Sequence, residues 1–330
     1  MKLLYDPLYG QSYFLDNKDR KILNVICDNS RMNYSKIGKI TRISKDRVKE
    51  RMKRMQKELF ILAYLPLIDY ELIGFKTFNV YIRFKSISDI SESFIKNIKQ
   101  EERVLSFTRL MGRYDYELKL LVKDKKELDN LLNKLKIRNN KEITSQRILP
   151  LSESYLSSMR VGKIFPKVLL KNKHRVDISL GKIDLKILMA LSSDAREKTI
   201  DIAKKVGVGE DIVRYKLKKL VKNKAILGFF TWTNKHRMKL NTYAIIINLR
   251  KPSNLGEIRK FVESENIYEI KSFDHDKTLI INFYASDNKH LLSTLNKIRL
   301  NLSKKIVDFD LLILIEKYKL STAPPTSSLS

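Results

Sequence analysis

The chain is poor in the residues that build cross-linked, metal-bound and membrane-embedded proteins. Its 330 residues include one cysteine, Cys27, which excludes an intrachain disulfide and any multi-cysteine metal site. Cys27 falls on the apolar side of a helical segment, so buried packing is its expected role. The four histidines, His174, His236, His275 and His290, are scattered without metal-ligand spacing. Asp274-His275-Asp276 reads as an exposed polar turn. No metal and no cofactor is expected. The longest strongly aliphatic run, Leu311 to Ile315, is too short to cross a bilayer, and the first residues show no basic-then-apolar leader. A cytoplasmic location with no membrane partner follows as the expectation.

Acidic residues are scarce as well. Asp and Glu number 37 against 66 Lys and Arg, a formal charge of +29 and a pI of about 9.9. Such a surplus favours a polyanionic partner, nucleic acid before a membrane surface. The 43% of hydrophobic residues suffices for ordinary cores, and the length suggests two or more domains.

What the chain does have is a long internal repetition. Leu15-Asp16-x-x-Asp19-x-Lys21-Ile22-Leu23 returns as Leu180-x-x-x-Asp184-x-Lys186-Ile187-Leu188, an offset of 165 residues (184 − 19). The same offset pairs Arg31 with Arg196, Ile37 with Ile202, Val48 with Val213, Met55 with Leu220 and Ile61 with Ile226. A period this long indicates a duplicated domain pair, not a solenoid of short repeats.

In the first copy, residues 15 to 62 read as three short helices. Asp16 caps the first, which presents Ile22, Leu23 and Ile26 on one face and closes at Asn29-Ser30. A run from Ser35 to Thr41 presents Ile37 and Ile40. The third helix starts at Ser44, a favourable N-cap, and spaces Val48, Met52, Met55 and Leu59 four, three and four apart, as a buried stripe requires. A short second helix, a tight turn and a basic third helix make a helix-turn-helix, whose third helix enters the major groove. Beyond it the period changes to two. Phe78, Val80, Ile82 and Phe84 alternate as a strand, 89 to 100 is an amphipathic helix, Val104 to Leu110 leads through Gly112-Arg113-Tyr114-Asp115-Tyr116 to a strand over 117 to 122, 125 to 136 is a helix, and 143 to 149 a closing strand. The order βαββαβ is ferredoxin-like.

These motifs, with Asp28-x-x-Arg31, Ser44-x-x-x-Val48-x-x-Arg51-x-x-x-Met55 and Gly112-x-Tyr114-Asp115-Tyr116, resemble the Lrp/AsnC transcription regulators over residues 15 to 150 and, more weakly, 180 to 318. The resemblance implies an α+β chain with two copies of a winged helix-turn-helix domain followed by a ferredoxin-like effector domain. The expected organisation is an extension (1–14), helix-turn-helix 1 (15–66), effector domain 1 (72–154), a basic linker (155–178), helix-turn-helix 2 (179–232), effector domain 2 (240–319) and a disordered tail (320–330). Family members pair through their effector domains, so an intramolecular pseudo-dimer is implied, with double-stranded DNA, a small effector such as an amino acid and further copies of the pseudo-dimer as partners. Gly112, Tyr114 and Asp115 are the implied effector loop, with an ordinary tight turn as the alternative.

The DNA-binding candidates are Ser44, Lys45, Arg47, Lys49, Arg51 and Arg54 in the first copy, and Arg214, Lys216 and Lys218 in the second. Lys45 and Arg47 lie in the first turn, where arginine can pair with guanine O6 and N7; Arg51 and Arg54 lie farther along, suited to phosphates. The second copy carries Glu210, Asp211 and Ile212 in the first turn instead. Acids suit a helix N-terminus, but a phosphate-lined groove repels them, so this unit is expected to touch phosphate at most; Glu210 accepting from a cytosine amino group is the alternative. The turns differ too: the second copy has Ala203 and Gly207 where the first has Gly38 and Arg42, and a left-handed Arg42 would cost about 1 kcal/mol. Trp232 is expected to anchor the junction between domains. No catalytic step is expected. Two rival readings remain: a siroheme-decarboxylase-like enzyme of the same architecture, using basic side chains for tetrapyrrole carboxylates and His275 or His290 as acid or ligand, and a nucleoid-type protein binding DNA broadly through charge.

Overall fold

A computed structural model describes residues 14–86, 88, 90–138, 140–157, 166–170, 180–256, 258 and 266–326. The first half runs α1 (Asn17–Asp28), α2 (Tyr34–Thr41), α3 (Lys45–Lys57), β1 (Ile61–Ile68), β2 (Lys76–Phe84), α4 (Glu92–Gln100), β3 (Val104–Met111), β4 (Tyr116–Val122), α5 (Lys125–Lys134) and β5 (Ile143–Ser157). The second runs β6 (Pro166–Leu170), α6 (Lys182–Ser193), α7 (Thr199–Val206), α8 (Glu210–Lys222), β7 (Ile226–Thr233), β8 (Asn241–Leu249), β9 (Ile267–Phe273), β10 (Thr278–Ala285), α9 (Asn288–Leu302) and β11 (Ile306–Leu320).

The two three-helix units have helices of 12, 8 and 13 residues, each followed by an eight-residue strand. Local chemistry sets their ends. Asp16 and Asp19 exchange backbone hydrogen bonds as a capping box at α1, and Asn33 accepts from the Lys36 amide at α2. Arg42 adopts the left-handed conformation (φ 58°) at the end of α2, where the second unit has Gly207 (φ 78°). The turn is tight enough that a Cβ on Gly38 would lie 2.6 Å from the Ile43 carbonyl oxygen. Val48, Met52 and Met55 are buried as expected, but α3 stops at Lys57. Leu59 turns left-handed and outward, and Phe60 takes its place in the core.

The units are joined by their strands. β1 and β7 form an antiparallel two-stranded ribbon, and each unit leans on the other's strand, α1 on β7 and α6 on β1. The apolar core of the first unit accordingly takes in Ala195 and Phe229, and that of the second takes in Ile68. Two arginines close the contact reciprocally. Arg31 Nη1 donates to the carbonyls of Ala195 (2.5 Å) and Glu197 (3.1 Å), while Arg196 Nη1 donates to those of Ser30 and Met32. Residue i meeting j while j meets i is the signature of a twofold interface, here within one chain.

The remaining strands close on themselves. The order β2-β4-β3-β11-β8-β10-β9-β5 returns to β2, because β5 pairs with both β2 and β9. The 15-residue strands β5 and β11 make this happen. β5 pairs through Pro150 with β2 and from Leu151 with β9; β11 pairs with β8 up to Leu314 and with β3 from Ile313 to Leu320. Outward side chains form one core beneath α4 and α5 and another beneath α9. Inside, Tyr81, Leu110, Tyr114, Leu149, Ile246, Phe273, Ile280 and Leu312 make an apolar floor.

Two expected segments are corrected. The stretch taken as a basic linker contains β5 through Ser157 and β6, which pairs with β5; the basic run at 171–175 lies outside the described residues, as does the extension before residue 14. The expected disordered tail is ordered through Thr326. Ser321 N donates to Leu105 O, Tyr70 Oη donates to Thr322 O (2.9 Å), and Thr326 donates to Glu102.

Truncating Arg31 or Arg196 to alanine should each destabilise the chain by about 2 kcal/mol, since a charged donor then leaves buried carbonyls unpaired. Denaturant unfolding checks it.

Candidate nucleic-acid interface and effector loop

The first turn of α3 points into solvent. Ser44, Lys45, Arg47 and Lys49 are exposed, and Lys45, Arg47 and Lys49 make no ion pair among the described residues. Ser44 stands at the N-cap without a side-chain capping bond, so the expected Ser44 cap is not formed. Val48, Met52 and Met55 on the opposite face tie α3 to the core, which leaves the helix N-terminus and its cations on the outside.

Arg51 and Arg54 are placed otherwise. Arg51 Nη1 is held by Asp16 (2.7 Å) and by the buried Asp19 (2.8 Å), and Arg54 Nη2 approaches Asp19 at 3.4 Å. The expectation that these arginines serve phosphates is corrected for Arg51, whose guanidinium is committed to holding α1 on α3. Burial acts to raise the Asp16 carboxyl, but the Asp19 amide and Arg51 outweigh it and hold the carboxyl below the usual range.

The second unit repeats this brace and not the open face. Lys216 Nζ bonds Asp184 at 3.0 Å, the counterpart of Arg51 with Asp19 at the 165 offset, so Lys216 too is a brace. Glu210 accepts from Thr199 (2.6 Å) and pairs with Arg214 (2.8 Å), which leaves neither side chain idle for a base or a phosphate. Lys218 is exposed without a partner among the described residues. Ile212 and Tyr215, at the positions of Arg47 and Glu50, are 44% and 65% exposed.

The effector loop is occupied by the fold. Gly112 has φ +135°, and a Cβ there would lie 2.8 Å from the Leu311 carbonyl oxygen, so the glycine admits β11 and not a ligand. Tyr114 is buried against Tyr81 with ring centroids 5.4 Å apart. Asp115 Oδ2 accepts from the Phe84 amide at 2.8 Å. The alternative reading, a structural turn, describes all three. His275 is exposed in its turn and His290 bonds Asn266; neither faces the barrel interior. Trp232 lies on β7 opposite Ala63 and faces the space between the ribbon and the barrel.

Reading the sequence missed that interior. Glu117 and Lys119 on β4, Glu269 and Lys271 on β9, and Lys317 on β11 all border a cavity of about 470 Å³. The signal was present in the alternation, since these are the residues opposite the helix-covered face of each strand. Only strand closure turns that second face inward. Among the described residues no group of three metal-ligating side chains is found, and no helix is long and apolar enough to cross a membrane.

Comparison with known proteins bears on the first half most. Residues 15–56 match the AsnC-type helix-turn-helix domain and residues 79–161 the Lrp/AsnC ligand binding domain. An HTH-type transcriptional regulator of Pyrococcus horikoshii is 27% identical over 132 residues, 39% of this chain and 88% of its own length. The regulator LrpB of Bacillus subtilis is 27% identical over 121 residues, 37% of this chain and 80% of its own. The chain thus carries Lrp/AsnC helix-turn-helix and ligand-binding domains. A solved structure of the siroheme decarboxylase NirDL shares the fold over 92% of this chain and 93% of its own, at a TM-score of 0.61 and 12% identity.

Two arginines one helical turn apart should separate cleanly. Arg51→Ala should lower stability by about 2 kcal/mol by stranding the buried Asp19, whereas Arg47→Ala should stay within about 0.5 kcal/mol. The Asp16 contribution should be present in full above the usual carboxylate range and vanish as pH falls through its lower folded value, so Asp16→Ala should flatten the acid limb of a stability–pH profile.

Proposed function

We propose that this chain is a DNA-binding transcription regulator responding to a small effector, built as a covalent tandem of two Lrp/AsnC-like halves. The observation that carries the reading is the outward first turn of α3, with Lys45 and Arg47 uncommitted on a helix-turn-helix of the AsnC type. Two relatives named as transcriptional regulators support it, as does the charge of +29. The repeated helix lengths and the reciprocal Arg31 and Arg196 contacts support the tandem arrangement, in which one chain does the work of a dimer and further copies assemble on it. Regulation follows from an effector binding two arrangements of the halves unequally.

The halves are unequal readers. Arg47 is exposed in the first turn of α3, the part of a recognition helix suited to base edges, whereas Ile212 replaces it in α8 and Glu210 is consumed by Thr199 and Arg214. We therefore assign one specific half-site to α3 and a phosphate-held half to α8, through Lys218. A broadly binding nucleoid protein would show little sequence preference.

Selection of preferred sequences from random DNA tests the reading. The expected consensus is one well-defined half-site beside a weakly defined one, and the pair Glu210→Lys with Ile212→Arg should move it toward a palindrome. Arg47→Ala should relax one base position and cost about 1 to 3 kcal/mol. For roughly five phosphate contacts, the slope of log affinity against log salt should lie near −4 to −5. A wild-type palindrome, or a profile untouched by Arg47→Ala, contradicts the assignment.

A further inference from the structure

Above the apolar floor, β4, β9 and β11 bring together three ammonium groups, of Lys119, Lys271 and Lys317, and two carboxylates, of Glu117 and Glu269, while Asp69, Glu71, Glu153 and Glu316 line other parts of the cavity. Glu117 and Glu269 are already served. Glu117 accepts from Asn79 Nδ2 (2.5 Å) and Tyr81 Oη (2.9 Å), Glu269 accepts from Asn282 Nδ2 (2.6 Å), and Lys271 lies between them at 3.8 and 3.3 Å. Lys119 has no ion-pair or hydrogen-bond partner among the described residues. Lys317 has only the neutral Ser106 hydroxyl, at 3.1 Å. Ser106 stands directly opposite Lys119 across the β3–β4 pair, so the two unneutralised ammonium groups converge on the same point of the wall. Burial lowers both below the ordinary lysine range, in spite of the opposing pull of Glu269 and Glu117. Uncompensated buried charge is costly, and a site that keeps two such groups facing about 470 Å³ of space is shaped for a counter-ion.

The rest of the wall says what that counter-ion carries. Tyr268 and Tyr284 stack at 4.4 Å with planes 13° apart, and Trp232 and Phe230 of β7 complete an aromatic side. We propose that the barrel cavity binds a small organic acid with a flat or branched apolar body and no amino group, of the 2-oxo acid class, its carboxylate held by Lys119 and Lys317. An amino acid is disfavoured at that end, because its ammonium would lie beside Lys119, Lys271 and Lys317 with Glu117 and Glu269 already engaged. The site is distinct from the Gly112 loop, which the fold fills. It deepens the effector-responsive reading and rests on it for its output: the ligand would touch Trp232 on the ribbon that joins the two helix-turn-helix units, so its binding bears on their spacing.

Calorimetric titration of the full chain with phenylpyruvate and with phenylalanine, without DNA, tests the assignment, since the two probes share body and carboxylate and differ at the amine. Phenylpyruvate should bind at least about tenfold more tightly. Lys119→Met should abolish or weaken that binding by about tenfold or more while leaving the melting temperature equal or higher, because an unpaired buried charge has been removed; Lys317→Met is the second variant should the first not fold. Equal affinity for the two probes, binding untouched by both variants, saturation by neither probe, or uptake of uroporphyrin in place of phenylpyruvate would each overturn the proposal. DNA binding by the ligand-free chain and its relaxed base preference in Arg47→Ala are measured separately, so failure of the ligand site leaves the regulator reading standing and the reverse holds as well.

Discussion

Closure of the barrel is the constraint on which everything else rests. A four-stranded ferredoxin-like sheet has two edges, and an open edge is a template for pairing with another chain. Here β5 and β11 run far enough past their own sheets to zip onto β9 and β3, so each half satisfies the other's edge and no edge of the ring remains. The arrangement also determines where the two three-helix units go. Both are tethered at strands entering the same ring, so they meet each other, and the shared β1–β7 ribbon and the exchanged arginines follow from that meeting.

Closure has a second consequence, which is electrostatic. Each sheet covers one face with helices and would leave the other for water, and in an open sheet Glu117, Lys119, Glu269, Lys271 and Lys317 would be ordinary surface residues. Rolled inward, they become a buried network in which every carboxylate must be hydrogen-bonded. The asparagines Asn79 and Asn282 do that for one carboxylate each. The two halves do not supply the network equally. At an offset of 163 (282 − 119), the positions equivalent to Lys119 and Lys271 in the other half are Asn282 and Thr108, so the interior is polarised although the strand order of the two halves is alike.

Much of this was legible in the residues. The three-helix units, the Asp16 cap, the left-handed Arg42 and the βαββαβ order all follow from local signals, and local signals are what a one-dimensional pattern carries. What was not legible depends on pairing between distant segments. Arg51 reads as a phosphate ligand until Asp19 is seen beneath it, and Lys216 until Asp184 is. Gly112 and Asp115 read as a ligand loop until β11 and the Phe84 amide are found filling it. The serine and proline content of the last residues reads as disorder, and only the neighbouring Leu105, Tyr70 and Glu102 show otherwise. The closing strand reads as 143 to 149 from its alternation, whereas β5 continues to Ser157, and alternation alone does not say how far a strand continues.

The unlike faces of α3 and α8 tie the fold to its use, and interference footprinting on a selected DNA site separates base contacts from phosphate contacts. If one chain reads bases through α3 alone, methylation at guanine N7 should block binding in one half-site only, while ethylation of phosphates should block it across both. Guanine interference of equal strength in the two half-sites would contradict the account.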